Sequence, residues 1–303
     1  MNRGLLQRIL KRRHAAAALT ILLIAGPLYA QTYQGETRLF AGSTPVERPT
    51  AVTQSGTGDQ IAVCDPQTNR IGVVDYLGRP LWAVGDQVDL GRPLSAVFLS
   101  ENELLFCRTA DLLILRITRD NPSVLDTVTD LAAVVDPARR INQIRQSAND
   151  WLALDEKTGE VLLFDSEWKL KKTLIPHGSG RGKVLVPTTV TLLPDRRILV
   201  TDRKNYPAQL FSPTGQFLFY FGWSAPGDQR GWEAVAAAVD SRSIVWIADE
   251  TGAAFRLFDA AGGEVGSVPF PNPLFRPIAM LATIDQRIVI VDETGRALFY
   301  SLQ

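Results

Sequence analysis

One residue recurs along this chain at a nearly constant interval. Asp65, Asp155, Asp202, Asp249 and Asp292 each close a short apolar run, and Arg108 stands where a sixth aspartate is due. The separations between these markers are 43, 47, 47, 47 and 43 residues. A second marker keeps the same step: the segment ahead of each run opens at Arg48, Arg92, Arg140, Val186, Trp232 and Arg276, at intervals of 44, 48, 46, 46 and 44. Two phases that advance together define a structural repeat, and a repeat decides the architecture before any short motif does.

Within each repeat the apolar residues alternate or form short runs, as in IAVC from Ile61, ILVT from Ile198 and VWIA from Val245. These runs suit strands of about five residues bounded by Gly, Asp, Asn or Pro. Asp75 to Gly78, Ser212 to Gly215 and Asp259 to Gly262 are turns in which glycine supplies a positive φ. Four short strands per period make a β-propeller blade. A helical solenoid would need a 3.6-residue apolar period, which is missing. The expected fold is therefore all-β, a six-bladed propeller over residues 31–303. The last repeat has room for only three strands before Gln303, and Glu36 to Gly42 (ETRLFAG) is an isolated strand-like segment ahead of the first. It is expected to complete the last blade and close the ring, removing an open sheet edge. The segment Asp126 to Arg139 reads as an irregular linker.

The element D-x-x-x-N-R-I-x-V-x-D-x-x-G at Asp65 to Gly78, with Phe-Gly before the next repeat, resembles the NHL-type six-bladed propellers. The resemblance covers repeats 1, 4, 5 and 6 well, and repeats 2 and 3 depart from it. Related lactonase-type propellers hold a divalent metal in the channel through acidic and amide side chains, and six-bladed lyases use several histidines. Beyond residue 30 this chain has only His177, so a three-histidine site cannot be assembled. An oxygen-ligand metal through Glu47, Asn142 or Glu233 belongs to the enzyme alternative. Otherwise no cofactor and no catalytic residue is expected.

Residues 1–30 contain Arg3, Arg8, Lys11, Arg12 and Arg13, the apolar stretch Ala15 to Ala25, and then Leu28-Tyr29-Ala30. That order is a secretory signal. The expected location is the periplasm or beyond after cleavage, with an uncleaved N-terminal anchor as the alternative and no stable transmembrane insertion. Without these residues the chain carries 27 basic against 32 acidic groups, a balance that opposes nucleic-acid binding. Cys64 and Cys107 share one phase in adjacent repeats, so they are expected to point the same way and stay unbonded.

The repeated aspartates are expected to hold backbone N–H groups and not to catalyse. Recognition is placed elsewhere. Arg48, Arg92, Arg140 and Arg276 precede the innermost strands and should ring one mouth of the channel. Arg181, Lys183, Arg203, Tyr206, Trp223 and Trp232 lie in the long insertions of repeats 3 to 5 on the same face. Guanidinium forks and aromatic rings there suit a protein, a peptide or an anionic glycan of the cell envelope. The reading is a binding or assembly module. Its rivals are a metal-assisted lactonase or lyase acting in the channel, and a structural subunit of an envelope complex.

Overall fold

The computed structural model describes residues 31–222, 232–272 and 275–302. They form six four-stranded antiparallel sheets arranged as a six-bladed β-propeller. Blade 1 runs Ala51–Gln54, Gln60–Asp65, Arg70–Asp75 and Pro80–Val84 from the axis outward. Blade 2 follows with Pro93–Ser100, Glu103–Arg108, Leu113–Thr118 and Asp126–Asp130, and blade 3 with Ile141–Ser147, Asp150–Asp155, Glu160–Phe164 and Leu170–Ile175. Blade 4 has Pro187–Leu192, Ile198–Asp202, Ala208–Phe211 and Phe217–Tyr220; blade 5 has Ala234–Val239, Val245–Asp249, Ala254–Phe258 and Glu264–Pro269. Blade 6 joins both ends of the described chain: Pro277–Ala282, Arg287–Asp292 and Arg296–Leu302 are completed on the outside by Gln31–Arg38.

Burial explains why the second strand of each blade reads as a continuous apolar run. In Ile198–Asp202 and Val245–Asp249 every residue is buried, because each sheet is covered on both faces by its neighbours. Outer strands face solvent, as the mostly exposed Asp126–Asp130 and Leu170–Ile175 show. The core is accordingly divided into slabs between blades. Cys64, Ile71 and Trp82 meet Phe98 and Phe106 between blades 1 and 2, whereas Leu105, Ile114 and Leu131 meet Trp151 and Phe164 between blades 2 and 3. The closing slab sets Val52, Ile61 and Val63 of blade 1 against Val289, Val291 and Phe299 of blade 6.

Closure occurs as expected, but with a different span. Gln31 pairs with Leu302 and Arg38 with Arg296, so the closing strand begins before Glu36 and ends before Phe40. The remainder of the expected segment turns back on itself: Phe40–Ala41 pairs with Thr44–Pro45. The cause is apolar burial, since Leu39 and Val46 on either side of this hairpin both enter the closing slab. Ala41 presses on blade 1 at Gly72, where an added Cβ would come within 2.7 Å of the Ala41 Cα. A second difference concerns blade 2. Asp126–Asp130, expected as part of a linker, is its outer strand, paired with Leu113 to Arg116. The Arg116 guanidinium holds Asp126 at 2.8 Å, and a single 3-10 turn, Leu131–Ala133, leads on to blade 3.

Asp65, Asp155, Asp202 and Asp249 clasp the hairpin of their blade to the linker that enters it. Asp65 accepts the N–H of Glu47 (2.7 Å) and Arg48 (3.3 Å) from the linker, and Gln67 N–H (3.0 Å) and the Thr68 hydroxyl (2.9 Å) from its hairpin. Asp202 does the same for Leu185 and Val186, and Asp249 for Glu233 and Gly252. Asp292 holds its own hairpin through Thr294 and Arg296. In blade 2 the substitute Arg108 is tied to Asp111 through two hydrogen bonds of 2.9 and 2.6 Å and reaches the Leu90 carbonyl of the linker at 3.5 Å. These clasps bring the inter-blade linkers and the middle hairpins to one face. Among the described residues, no helix is long and apolar enough to cross a membrane.

Candidate functional site: the channel and its mouth

The linkers that enter the blades surround one mouth of the channel, where a cavity of about 390 Å³ is lined by Asn142, Glu156, Val186, Arg203, Val235 and Ile278. The arginines expected here do not share one environment. Arg140 Nη1 lies 3.3 Å from Glu156, whose other carboxylate oxygen accepts Asn142 Nδ2 at 3.1 Å. Arg276 Nε lies 3.3 Å from Glu250, and Arg203 reaches the same carboxylate at 3.5 Å and Glu233 at 3.7 Å. Glu250 thus links the linker into blade 6 with a hairpin of blade 4. Arg48 and Arg92 are exposed and form no ion pair among the described residues. The backbone alone of each is held, Arg48 N–H by Asp65 and Arg92 N–H by the Asn69 side chain at 2.7 Å.

Two of the acidic partners, Glu156 and Glu250, escaped the sequence reading. Each directly follows a repeated aspartate, as the expected Arg203 does, so the signal was one residue beyond the marker already in hand. The Glu250 pairs cross blades, which only the ring geometry reveals, whereas Arg140 and Glu156 pair within blade 3.

Over blade 4 the basic and aromatic residues are brought together in part. Tyr206 stacks on Tyr220 with ring centroids 4.4 Å apart, and Arg181 donates to the Tyr220 hydroxyl at 3.0 Å with its guanidinium 5.7 Å from the ring centre. The loop carrying Arg181 and Lys183 is pinned from beneath: Asn205 Oδ1 accepts Gly180 N–H at 3.0 Å, and the buried Gln209 accepts Gly182 N–H at 3.0 Å while donating to the Lys183 carbonyl at 2.6 Å. Lys183 itself is exposed. Trp232 is stacked near Phe258, and the Arg256 guanidinium lies 4.5 Å from the Trp232 ring centre and 5.4 Å from that of Phe258. It packs between blades 4 and 5. Trp223 lies outside the described residues.

Along the inner strands the channel holds a cavity of about 240 Å³, lined among others by Thr53, Gln143, Arg145, Thr191, Met280 and Leu281. Arg145 was not anticipated. It sits on the inner strand of blade 3, where register with Leu152 sets it at the level that Thr53, Val97, Thr191, Ala238 and Leu281 occupy in the other blades. Its Nη1 donates to the Ile144 carbonyl at 2.9 Å and to the buried Ser95 hydroxyl at 3.2 Å. Burial lowers its pKa from the ordinary guanidinium value. The nearby thiols supply no counter-charge. Cys64 and Cys107 are free and buried, and burial raises both, Cys107 to about 12.

No protein-family model matches the chain, and no curated protein is similar to it. Solved structures are similar in fold. Virginiamycin B lyase from Staphylococcus aureus aligns over 90% of this chain and 100% of its own, at 15% identity and a TM-score of 0.60. A putative gluconolactonase aligns over 88% and 92% at 12% identity and a TM-score of 0.63. The calcium-binding protein regucalcin from Agrobacterium tumefaciens aligns over 88% and 94%, at 12% identity and a TM-score of 0.64. The likeness is one of architecture.

A calcium-binding neighbour raises the question of a metal, and the donors present answer it poorly. No group of three or more His, Cys, Asp or Glu side chains that could hold an ion comes together among the described residues. At the mouth, Glu156 is engaged by Arg140 and Asn142, and Arg203 lines the same cavity. A guanidinium there repels a divalent ion. Among the described residues of the mouth, Asn142 Oδ1 is buried without a hydrogen-bond partner.

Proposed function

We propose that this protein is a binding module of the cell envelope that takes an acidic peptide segment on the face where the blade linkers converge. The observation that carries this reading is the contrast among the mouth arginines. Arg140, Arg203 and Arg276 are each matched by a glutamate, whereas Arg48 and Arg92 on adjacent blades present unmatched guanidinium groups to solvent. Such a group gives a carboxylate a planar, two-pronged contact. The Tyr206–Tyr220 stack adds a rigid aromatic surface on the same face. The envelope location rests on the basic and apolar order of residues 1–30, which lie outside the described residues.

A labelled oligoglutamate peptide is the direct probe. Binding should weaken steeply with salt, and the double variant Arg48→Glu with Arg92→Glu should lose at least tenfold in affinity while keeping the parent circular dichroism spectrum. Salt-independent or variant-independent binding would move recognition to another face. The second reading is a channel enzyme, favoured by the lyase and lactonase names of similar folds and by the unpartnered Asn142 Oδ1. Tight calcium or magnesium binding that vanishes in Asn142→Leu would support it.

A further inference from the structure

We propose that the central channel holds a small monocarboxylic acid, its carboxylate on the Arg145 guanidinium and its apolar body against blades 5 and 6. The site is independent of the mouth reading and rests on different residues.

The first argument is charge. Arg145 is half-buried in the channel wall, and it forms no ion pair with any carboxylate among the described residues. At its own level of the channel wall the other blades contribute Thr53, Val97, Thr191, Ala238 and Leu281, none of them acidic. One level toward the mouth the wall carries Ala51, Ser95, Gln143, Thr189, Ala236 and Ala279, again without an acid. The thiols of Cys64 and Cys107 are the titratable groups that influence it, and both are neutral at ordinary pH. A half-buried cation that has shed part of its water without a carboxylate partner is destabilised, and an anion in the channel relieves that cost.

The second argument is geometry. Both protein acceptors, Ile144 O and Ser95 Oγ, are taken by Nη1. Nε and Nη2 have no acceptor among the described residues. Those two nitrogens form the edge of the fork that receives a carboxylate through two parallel hydrogen bonds. Ser95 Oγ also accepts the Ile144 N–H at 3.3 Å, so the group that steadies Arg145 is itself fixed.

The third argument is the cavity. Its volume of about 240 Å³ admits a molecule of a few carbons and excludes a peptide or glycan. Thr53 offers a hydroxyl in the same cavity, the Thr191 hydroxyl donates to the Ala237 carbonyl at 3.1 Å, and Ala238, Met280 and Leu281 present an apolar wall. Amphipathic walls of this kind match a short-chain acid better than phosphate or a dicarboxylate.

Isothermal titration of the purified protein with sodium pentanoate tests the proposal, with 1-pentanol, succinate and inorganic phosphate as comparison probes. Pentanoate should bind at submillimolar concentration, and Arg145→Met should weaken it at least tenfold. Arg145→Lys should recover only part of that loss, because an ammonium lacks the fork. Should Arg145→Met fail to fold, Ala238→Leu keeps the guanidinium but fills the cavity, and it too should abolish binding. Arg48→Glu with Arg92→Glu should leave pentanoate affinity unchanged. The proposal is overturned by absence of pentanoate binding, by equal affinity in Arg145→Met or Ala238→Leu, or by succinate, phosphate or pentanol binding as tightly as pentanoate.

Discussion

Arg140 and Arg145 are five residues apart in sequence, one at the mouth and one in the channel. The Arg140 side chain is 56% exposed and sits 3.3 Å from Glu156, itself 44% exposed. Arg145 is half-buried in the channel wall and has a hydroxyl and a carbonyl as its only acceptors among the described residues. At the mouth, water screens each charge, so pairing contributes little and loss of a partner costs little. In the channel screening is poor, and the missing counter-charge becomes the most informative feature of the site. The comparison teaches that the channel and the mouth should be tested as separate regions, even though one strand leads from the first to the second.

Both environments exist only while the ring is closed, so opening it should have the largest effect. Deleting Gln31–Arg38 strips the outer strand from blade 6 and bares the edge of Arg296–Leu302. An exposed edge of this length pairs with other chains. The deletion variant should lose its single cooperative melting transition and elute as oligomers by size exclusion. An unchanged melting midpoint and a monomeric profile would show that the slab between blades 6 and 1 closes the ring without that strand.

A smaller loss is expected from the clasp beneath Arg140. Asp155 is completely buried by accessibility and accepts Arg140 N–H at 3.0 Å, the Thr158 hydroxyl at 2.7 Å and Arg139 Nη1 at 2.8 Å. Burial pushes its pKa up, but these donors outweigh that push and hold it below the ordinary carboxylate value. A carboxylate lowered on folding stabilises the protein above its unfolded pKa, and that contribution disappears as pH falls through the folded value. Asp155→Asn should cost about 2 kcal/mol at neutral pH. The deficit should shrink in thermal melts below about pH 4. Parallel melting curves of parent and variant from pH 7 to pH 3 would show that the charge plays no part.

The repeat was legible because five of the six blades use a buried aspartate to organise the same hairpin, and that carboxylate leaves its mark at each of those periods. The middle strands were legible for the same reason, since burial on both faces demands unbroken apolar runs such as ILVT from Ile198. The closing strand was found but misplaced: ETRLFAG looks like one strand, whereas the apolar demand on Leu39 and Val46 folds its second half into a hairpin. Asp126–Asp130 escaped because an outer strand exposed to water carries no apolar signature. Arg145 was concealed in the polar string INQIRQS. Counting five residues on from Arg140 would have set it beside Thr53, Thr191 and Leu281, but the lack of an acid at that level has meaning only once the strands are known to face a shared channel.

The smallest effects give the sharpest form of the comparison. Arg140→Met removes an exposed pair and should shift stability by less than about 0.5 kcal/mol. Arg145→Met removes a half-buried charge, and it also releases Ser95 Oγ and the Ile144 carbonyl. Relief of the unpaired charge should outweigh those two lost hydrogen bonds, giving a ligand-free protein more stable by about 1 kcal/mol. The two substitutions are chemically identical, so their difference reports the environment alone. Thermal melts in acid-free buffer should therefore raise the midpoint for Arg145→Met and leave that of Arg140→Met at the parent value. Adding pentanoate should then raise the parent midpoint and leave that of Arg145→Met in place, since a ligand that binds only the folded state stabilises it in proportion to its occupancy. Destabilisation by Arg145→Met in the absence of any acid would mean that the guanidinium is already satisfied by its two protein acceptors and by channel water, and the contrast between channel and mouth would collapse.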